Sequence, residues 1–263
     1  MRCLVLLAFW MPLGAQAGRA CEEKPIDTRR VEKAMNLALA TARALDASGA
    51  QVVVLARVGQ DLSKYGLHYS HLGLAYLDAP AVAGSSIPGV WRVAHKLNQC
   101  GSAQASVYRQ GLAEFFLDGL HVYEAGVVML SPTSQTQLLD VLRNNQRLLQ
   151  MHNPSYNMLA YPWSQRYQQS NQWALETIAM ALDTSVMNRE QAQAWLLLRG
   201  FVPTTLKLGA LTRLGARVGT ANIAFDDHPN DKRFSDRIET VTVDSVFQWL
   251  HRSRLATQTT TIR

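Results

Sequence analysis

Apolar residues change their spacing along this chain, and each change predicts an element. Over residues 27–45, Val31, Met35, Ala38, Ala42 and Leu45 recur at helical spacing, Asp27 or Thr28 can cap the start, and Ser48-Gly49 ends the run. Residues 51–57 (QVVVLAR) form a β-branched run that predicts a buried strand. Two further strands are predicted at 67–77 (LHYSHLGLAYL) and 90–99 (VWRVAHKLNQ), with a turn-rich excursion over 80–89 between them. The pattern then predicts a helix at 106–117 (SVYRQGLAEFFL), a strand at 122–130, and a long amphipathic helix opening at Ser131-Pro132-Thr133. Residues 156–167 are rich in aromatics and read as an ordered loop. Helices follow at 170–182, where Ser170 is a good N-cap, at 188–198 between Asn188 and Gly200, and over 206–214. Residues 221–225 and 238–243 predict two late strands around a polar stretch at 226–236, and 244–251 predicts a closing helix. No internal repeat or low-complexity linker interrupts this order. It predicts a single α+β domain over 18–263, with a core at 18–187 and a C-terminal extension at 188–263 packed onto it.

The N-terminus lies outside that domain. Met1 and Arg2 supply a positive start, residues 3–13 (CLVLLAFWMPL) an apolar run, and Ala15-Gln16-Ala17 the small residues of a cleavage site, so 1–17 reads as a signal peptide. The run is shorter than the roughly 20 apolar residues a permanent span needs. A lipoprotein anchored at Cys21 is the alternative, but Gly18-Arg19-Ala20 before it makes a poor lipobox. Cleavage near Ala17 predicts a periplasmic or secreted protein with no stable membrane insertion. Composition fits a globular product, with 48% hydrophobic and 17% charged residues. The formal net charge of +6 is spread along the chain, with no block of Lys and Arg interleaved with aromatics, so nucleic acid is not an expected partner. Of three cysteines, Cys3 leaves with the signal peptide. Cys21 and Cys100 then predict one disulfide in an oxidising compartment, with a reactive thiolate at Cys100 as the competing reading.

Candidate chemistry is carried by a few positions. A side-chain nucleophile works best at a helix N-terminus, beside a His that acts as base and a third group that orients the His. Ser170 begins a predicted helix, His71 sits in Tyr69-Ser70-His71-Leu72-Gly73, and His95 or Asn98 lies on the next strand. Each also has a plain structural reading: an N-cap for Ser170 and a satisfied core position for His71. Asp226-Asp227-His228 before Pro229 could be a metal or acid–base group, or an Asx-rich turn. Tyr156, Tyr161, Trp163 and Tyr167 could line a groove or fill the core. No zinc, calcium, dinucleotide or P-loop motif occurs, so no metal or cofactor is expected.

Several of these segments occur together in a known pattern. Asp61-Leu62-Ser63 with Tyr69-Ser70-His71-Leu72-Gly73, then 95–101 (HKLNQCG), 166–173 (RYQQSNQW), Asp226-Asp227-His228-Pro229 and 240–246 (TVTVDSV) resemble the uncharacterised exported bacterial proteins of domain-of-unknown-function family 2145. More distantly, the order of a His-x-Gly strand, a strand with a polar residue and a nucleophile at a helix start is similar to the circularly permuted, NlpC-like branch of papain-fold hydrolases. That resemblance implies an antiparallel sheet with packed helices, a papain-like core, and the roles of nucleophile, base and orienter for Ser170, His71 and His95. The sequence departs from that branch in carrying Ser where the branch carries Cys, and a hydroxyl is much harder to ionise than a thiol. Two functions therefore stand open. One is a non-catalytic cell-envelope binding or accessory protein, favoured by the Ser. The other is a cell-envelope hydrolase or acyltransferase using Ser170, His71 and His95. Peptidoglycan, peptide or glycan are the ligands expected of either.

Overall fold

The computed structural model describes residues 27–78 and 89–263. The expected signal peptide and Cys21 lie outside the described residues, as does most of the expected turn at 80–89.

Helix α1 (Thr28–Ser48) starts where the Asp27 carboxylate accepts from the Arg29 N–H at 3.0 Å, and stops at Gly49, whose φ of 67° favours glycine. Six antiparallel strands follow the apolar runs: β1 (Val52–Val58), β2 (His71–Asp78), β3 (Val90–Asn98), β4 (Ala105–Gly111), β5 (Val122–Leu130) and, last in the chain, β8 (Ala256–Ile262). Their order across the sheet is β4-β3-β2-β1-β5-β8. A separate two-stranded antiparallel sheet pairs β6 (Thr204–Lys207) with β7 (Arg237–Thr240). The mixed α+β class and the antiparallel sheet with packed helices agree with the sequence expectation.

Helices cover both faces of the sheet, which is why every residue of β1 is buried. On one face α1 and α2 (Leu112–Leu117) pack Leu37, Leu45, Phe115 and Phe116 against Val53, Leu55, Ala75 and Val93. On the other, α3 (Pro132–Arg143), α5 (Ser170–Leu182), α6 (Arg189–Leu198) and α9 (Val243–Arg252) pack against Val52, Val54, Leu72, Leu74 and Ala94. Full burial of a Leu or Phe side chain stabilises by about 1.5–3 kcal/mol, so these two cores dominate the fold. Side chains alternate between faces with period two, so Leu72, Leu74 and Tyr76 look toward α5, while His71, Gly73 and Ala75 look toward α2. Gly73 has a steric reason to be Gly. A Cβ there would lie 2.5 Å from Val93 Cγ1 and 3.2 Å from His95 Cβ.

Four expectations change. The helix expected over 106–117 is a strand followed by a short helix, because 105–111 pairs with β3 at the sheet edge and the chain turns at Gly111. The segment expected as a helix from 206 begins as β6, and α7 (Ala210–Gly219) follows it. Residues 221–225 are irregular rather than a strand, since Asn157 takes up both the Ala224 N–H and the Ala224 carbonyl. Ser170 is the first helical residue rather than the cap. The capping bond is made by the Gln169 side chain, which accepts from the Asn171 N–H at 3.2 Å. The segment 188–263 contributes both core and sheet: Ala192, Leu196, Val246 and Trp249 join the α5-side core, and β8 pairs with β5.

A buried polar cluster fixes the start of α5. The Glu176 carboxylate, wholly buried, accepts from Arg189 Nε at 2.8 Å, Gln168 Nε2 at 2.5 Å, Gln193 Nε2 at 2.9 Å and Gln172 Nε2 at 3.1 Å. Beside it Lys96 Nζ donates to Asn153 O, Gln168 O and Gln168 Oε1 at 2.6–2.9 Å. Burial, then Arg189, lower the Lys96 pKa to about 7, with Glu176 opposing. These charges tie β3, the loop before α5, α5 and α6 together.

Candidate functional site

The two histidines singled out by the sequence are in contact. His71 Nε2 lies 2.9 Å from His95 Nδ1, and His95 Nε2 lies 2.7 Å from Gln110 Oε1 on β4. The partners fix the order of protons along this row. With the Gln110 oxygen accepting, His95 carries its proton on Nε2, so its Nδ1 accepts from His71 Nε2–H. His71 Nδ1 is then a bare lone pair. It makes no hydrogen bond among the described residues. Burial is the main reason that His71 is held well below the ordinary 6.5, followed by Arg57 and His95. His95 is lowered to about 4 by burial and then by Arg57, against the opposing Gln110 hydrogen bond and Asp118. Both rings are neutral at pH 7. Arg57, which pairs with Asp118 and donates to the Phe115 carbonyl, lies over the Phe115 ring on this same face of the sheet.

Ser170 reaches the same cavity from elsewhere. A space of about 400 Å³ opens at the His71 end of β2. Its wall includes Arg57, His71, Asn98, Ser170, Asn171 and Asn222, among apolar residues such as Leu62, Leu67, Met158, Leu159, Ile223 and Phe225. The Ser170 hydroxyl makes no hydrogen bond among the described residues, and none joins it to His71. The cause is the pleat of β2. His71 and His95 turn to the α2 face and stack at 5.9 and 5.2 Å on Phe115, whereas α5 lies on the opposite face, where Asn171 Oδ1 accepts the Leu72 N–H at 3.0 Å. The His71 ring thus turns to one face of the sheet while Ser170 begins the helix that covers the other, and both line the cavity without a hydrogen bond between them. Asn98 is on the α5 face, and its amide donates to Gln99 O at 3.1 Å rather than to His71. Cys100 lies in the turn after β3 and is not part of the cavity wall. Gln110 was not among the residues singled out. It lies on the strand read as a helix, and only the pairing of β4 with β3 brings it to His95.

The remaining candidates have structural partners. His228 donates through Nε2 to Glu239 O at 2.9 Å, and its Nδ1 meets Asp227 Oδ1 at 3.0 Å. Asp227 Oδ2 accepts the Tyr161 N–H at 2.8 Å, and Asp226 pairs with Arg166 at 3.0 Å, so this cluster holds the 154–168 loop to β7. No group of three or more His, Cys, Asp or Glu is placed to hold a metal among the described residues. Tyr156 lines the cavity, but Trp163 packs into the α5-side core, Tyr161 stacks on His228, and Tyr167 lies under the Arg166 guanidinium.

Fold and site define an α+β protein in which helices sandwich an antiparallel sheet and a neutral histidine pair borders a ligand-sized cavity. A sequence match over residues 44–250 runs from the end of α1 to α9, and its family is described as Uncharacterized protein conserved in bacteria (DUF2145). The chain belongs to that family. No curated protein and no solved structure matches it.

Proposed function

We propose that this protein is an exported cell-envelope binding or accessory protein that holds its ligand in the cavity and does no covalent chemistry through Ser170. The observation that carries this reading is that Ser170, at the start of the helix on one face of the sheet, makes no hydrogen bond to His71, whose ring turns to the other face. A serine hydroxyl needs a base within about 3 Å to become a nucleophile. What remains is a cavity of about 400 Å³, within the size range of small-ligand sites, with an apolar wall and a few hydrogen-bonding groups such as Asn98, Asn171 and Asn222. A peptide or glycan fragment of the envelope, peptidoglycan included, fits that mixture. Export rests on the N-terminal pattern, and a Cys21–Cys100 disulfide would accompany it. The relation to the permuted NlpC branch rests on the order of the His-x-Gly strand, the His95 strand and the α5 start, and the protein would keep that core without its thiol.

The test is thermal unfolding with soluble peptidoglycan fragments released by a muramidase. The fragments should raise the midpoint of the parent and of Ser170→Ala equally, and should not raise that of Leu159→Arg, which puts a charge into the cavity wall. Loss of the shift in Ser170→Ala, or its survival in Leu159→Arg, overturns the reading. A hydrolase or acyltransferase is the second reading, favoured by the bare His71 Nδ1, and it requires Ser170 to react with a serine-directed probe.

A further inference from the structure

Helix α7 and its surroundings carry features that the cavity does not use. Thr212 and Ala216 line the cavity. At 100° per residue, Leu211 and Leu214 fall on the opposite side of the helix, and they are 86% and 61% exposed. Phe234, on α8 (Asn230–Phe234), is 72% exposed with the Arg233 guanidinium 4.8 Å from its ring centre. Arg213 joins the two helices, because its guanidinium bonds both Leu208 O and Asp236 on the turn after α8. Lys207 and Arg237 are cross-strand neighbours at the end of the β6–β7 pair nearest α7.

The charges left without an ion-pair partner on α7, α8 and the β6–β7 pair are mostly positive, four cations against Asp231 on α8. In this region Asp236 is paired with Arg213, Glu239 with Lys232, Asp226 with Arg166 and Asp227 with His228. Lys207, Arg217, Arg233 and Arg237 have no carboxylate partner among the described residues. Exposed leucines on one side of a helix, an exposed phenylalanine and unpaired cations beside them are the pattern of a surface that sits in a bilayer interface and is drawn to anionic headgroups. A protein partner would need complementary acidic and apolar groups together, whereas an anionic bilayer presents both as a matter of course.

We propose that α7, with Phe234 and the cations Lys207, Arg217 and Arg237, docks this protein peripherally on an anionic membrane surface. The docking face is the outer side of the helix that covers the cavity. The probe is co-sedimentation of the full chain with vesicles of phosphatidylglycerol and phosphatidylethanolamine, and with vesicles of phosphatidylcholine alone. Parent and variants share one N-terminal segment, so the differences between them report α7. Binding should favour the anionic vesicles and fall with salt. Leu211→Ser/Leu214→Ser should weaken it by about tenfold or more, and Lys207→Glu/Arg217→Glu by about tenfold. A Leu211→Trp variant should show blue-shifted emission on the anionic vesicles. These positions are exposed, so unchanged thermal midpoints will show that the variants fold. The proposal is overturned if the parent does not prefer anionic vesicles, or if the leucine variant binds as the parent does. It is equally overturned if the Trp emission does not move, or if the leucines serve only a concentration-dependent self-association.

Discussion

Replacing Glu176 by Leu should cost this protein a large part of its stability, and the structure says why. The carboxylate is wholly buried, and Arg189 approaches it with two nitrogens, Nε at 2.8 Å and Nη2 at 3.2 Å. Gln168, Gln172 and Gln193 turn their amide groups toward the same two oxygens. Leucine has a similar volume, so little cavity is made. What is left is a buried guanidinium with only the carbonyls of Ser164, Gln165 and Tyr167 as acceptors, and three amides short of a partner. Breaking a buried pair from one side costs about 3–5 kcal/mol. At about 2–4 °C per kcal/mol for a domain of this size, the midpoint should fall by about 6–20 °C. Urea unfolding followed by tryptophan emission measures the loss, and it should appear as a lower midpoint at constant slope. The double variant Glu176→Leu/Arg189→Met removes the stranded charge and should lose less than the two single variants added together. A single-variant loss under about 1 kcal/mol, or strict additivity in the double variant, would refute the claim that this pair is a buried, coupled tie between α5 and α6.

Other consequences follow from the site. Gly73→Ala places a methyl group against Val93 and the His95 Cβ, so it should destabilise by about 1–3 kcal/mol in the same urea assay, and an unchanged midpoint would contradict the packing described for β2 and β3. Acid should weaken the fold in a definite window. His95 titrates at about 4 when folded and near 6.5 when unfolded, so the unfolded chain takes up the proton first. Stability is full above pH 6.5 and lost as the pH falls to about 4, by about 3 kcal/mol from His95 alone, with His71 acting in the same direction. His95→Gln should flatten that part of the stability profile, and an equal slope in parent and variant would place the acid sensitivity elsewhere. Free-thiol counting on the cleaved, denatured protein should find neither Cys21 nor Cys100 reactive, whereas two titratable thiols would contradict the disulfide.

Much of this architecture is legible in the sequence, for reasons that also explain what is not. The QVVVLAR run over 51–57 reads as a strand because both faces of β1 are covered, and the 27–45 periodicity reads as a helix because one side of α1 packs on the sheet. Strand β4 is hidden because SVYRQGLAEFFL also fits a helical spacing, and only the edge pairing of His95 with Tyr108 and its neighbours decides the matter. Strand β8 (ATQTTTI) has no apolar alternation to announce it, since most of its side chains face solvent at the sheet edge. The histidine contact follows from two adjacent strands, but Gln110 becomes visible only once β4 is a strand. A signal for the separation of Ser170 from His71 is present in residues 71–76, where Leu72, Leu74 and Tyr76 alternate with His71, Gly73 and Ala75. The bulky set marks the face that α5 covers, and it leaves His71 on the other.

A cavity that only binds its ligand requires that Ser170 not be a nucleophile. The direct measurement is reaction of the full chain with a fluorophosphonate at neutral pH, read by intact mass and peptide mapping, with His71→Asn and Ser170→Ala treated alongside. No adduct should form on Ser170, and none of the three proteins should gain mass. An adduct on Ser170 that disappears in His71→Asn would contradict the binding reading, because the two side chains would then have to meet across the edge of the sheet.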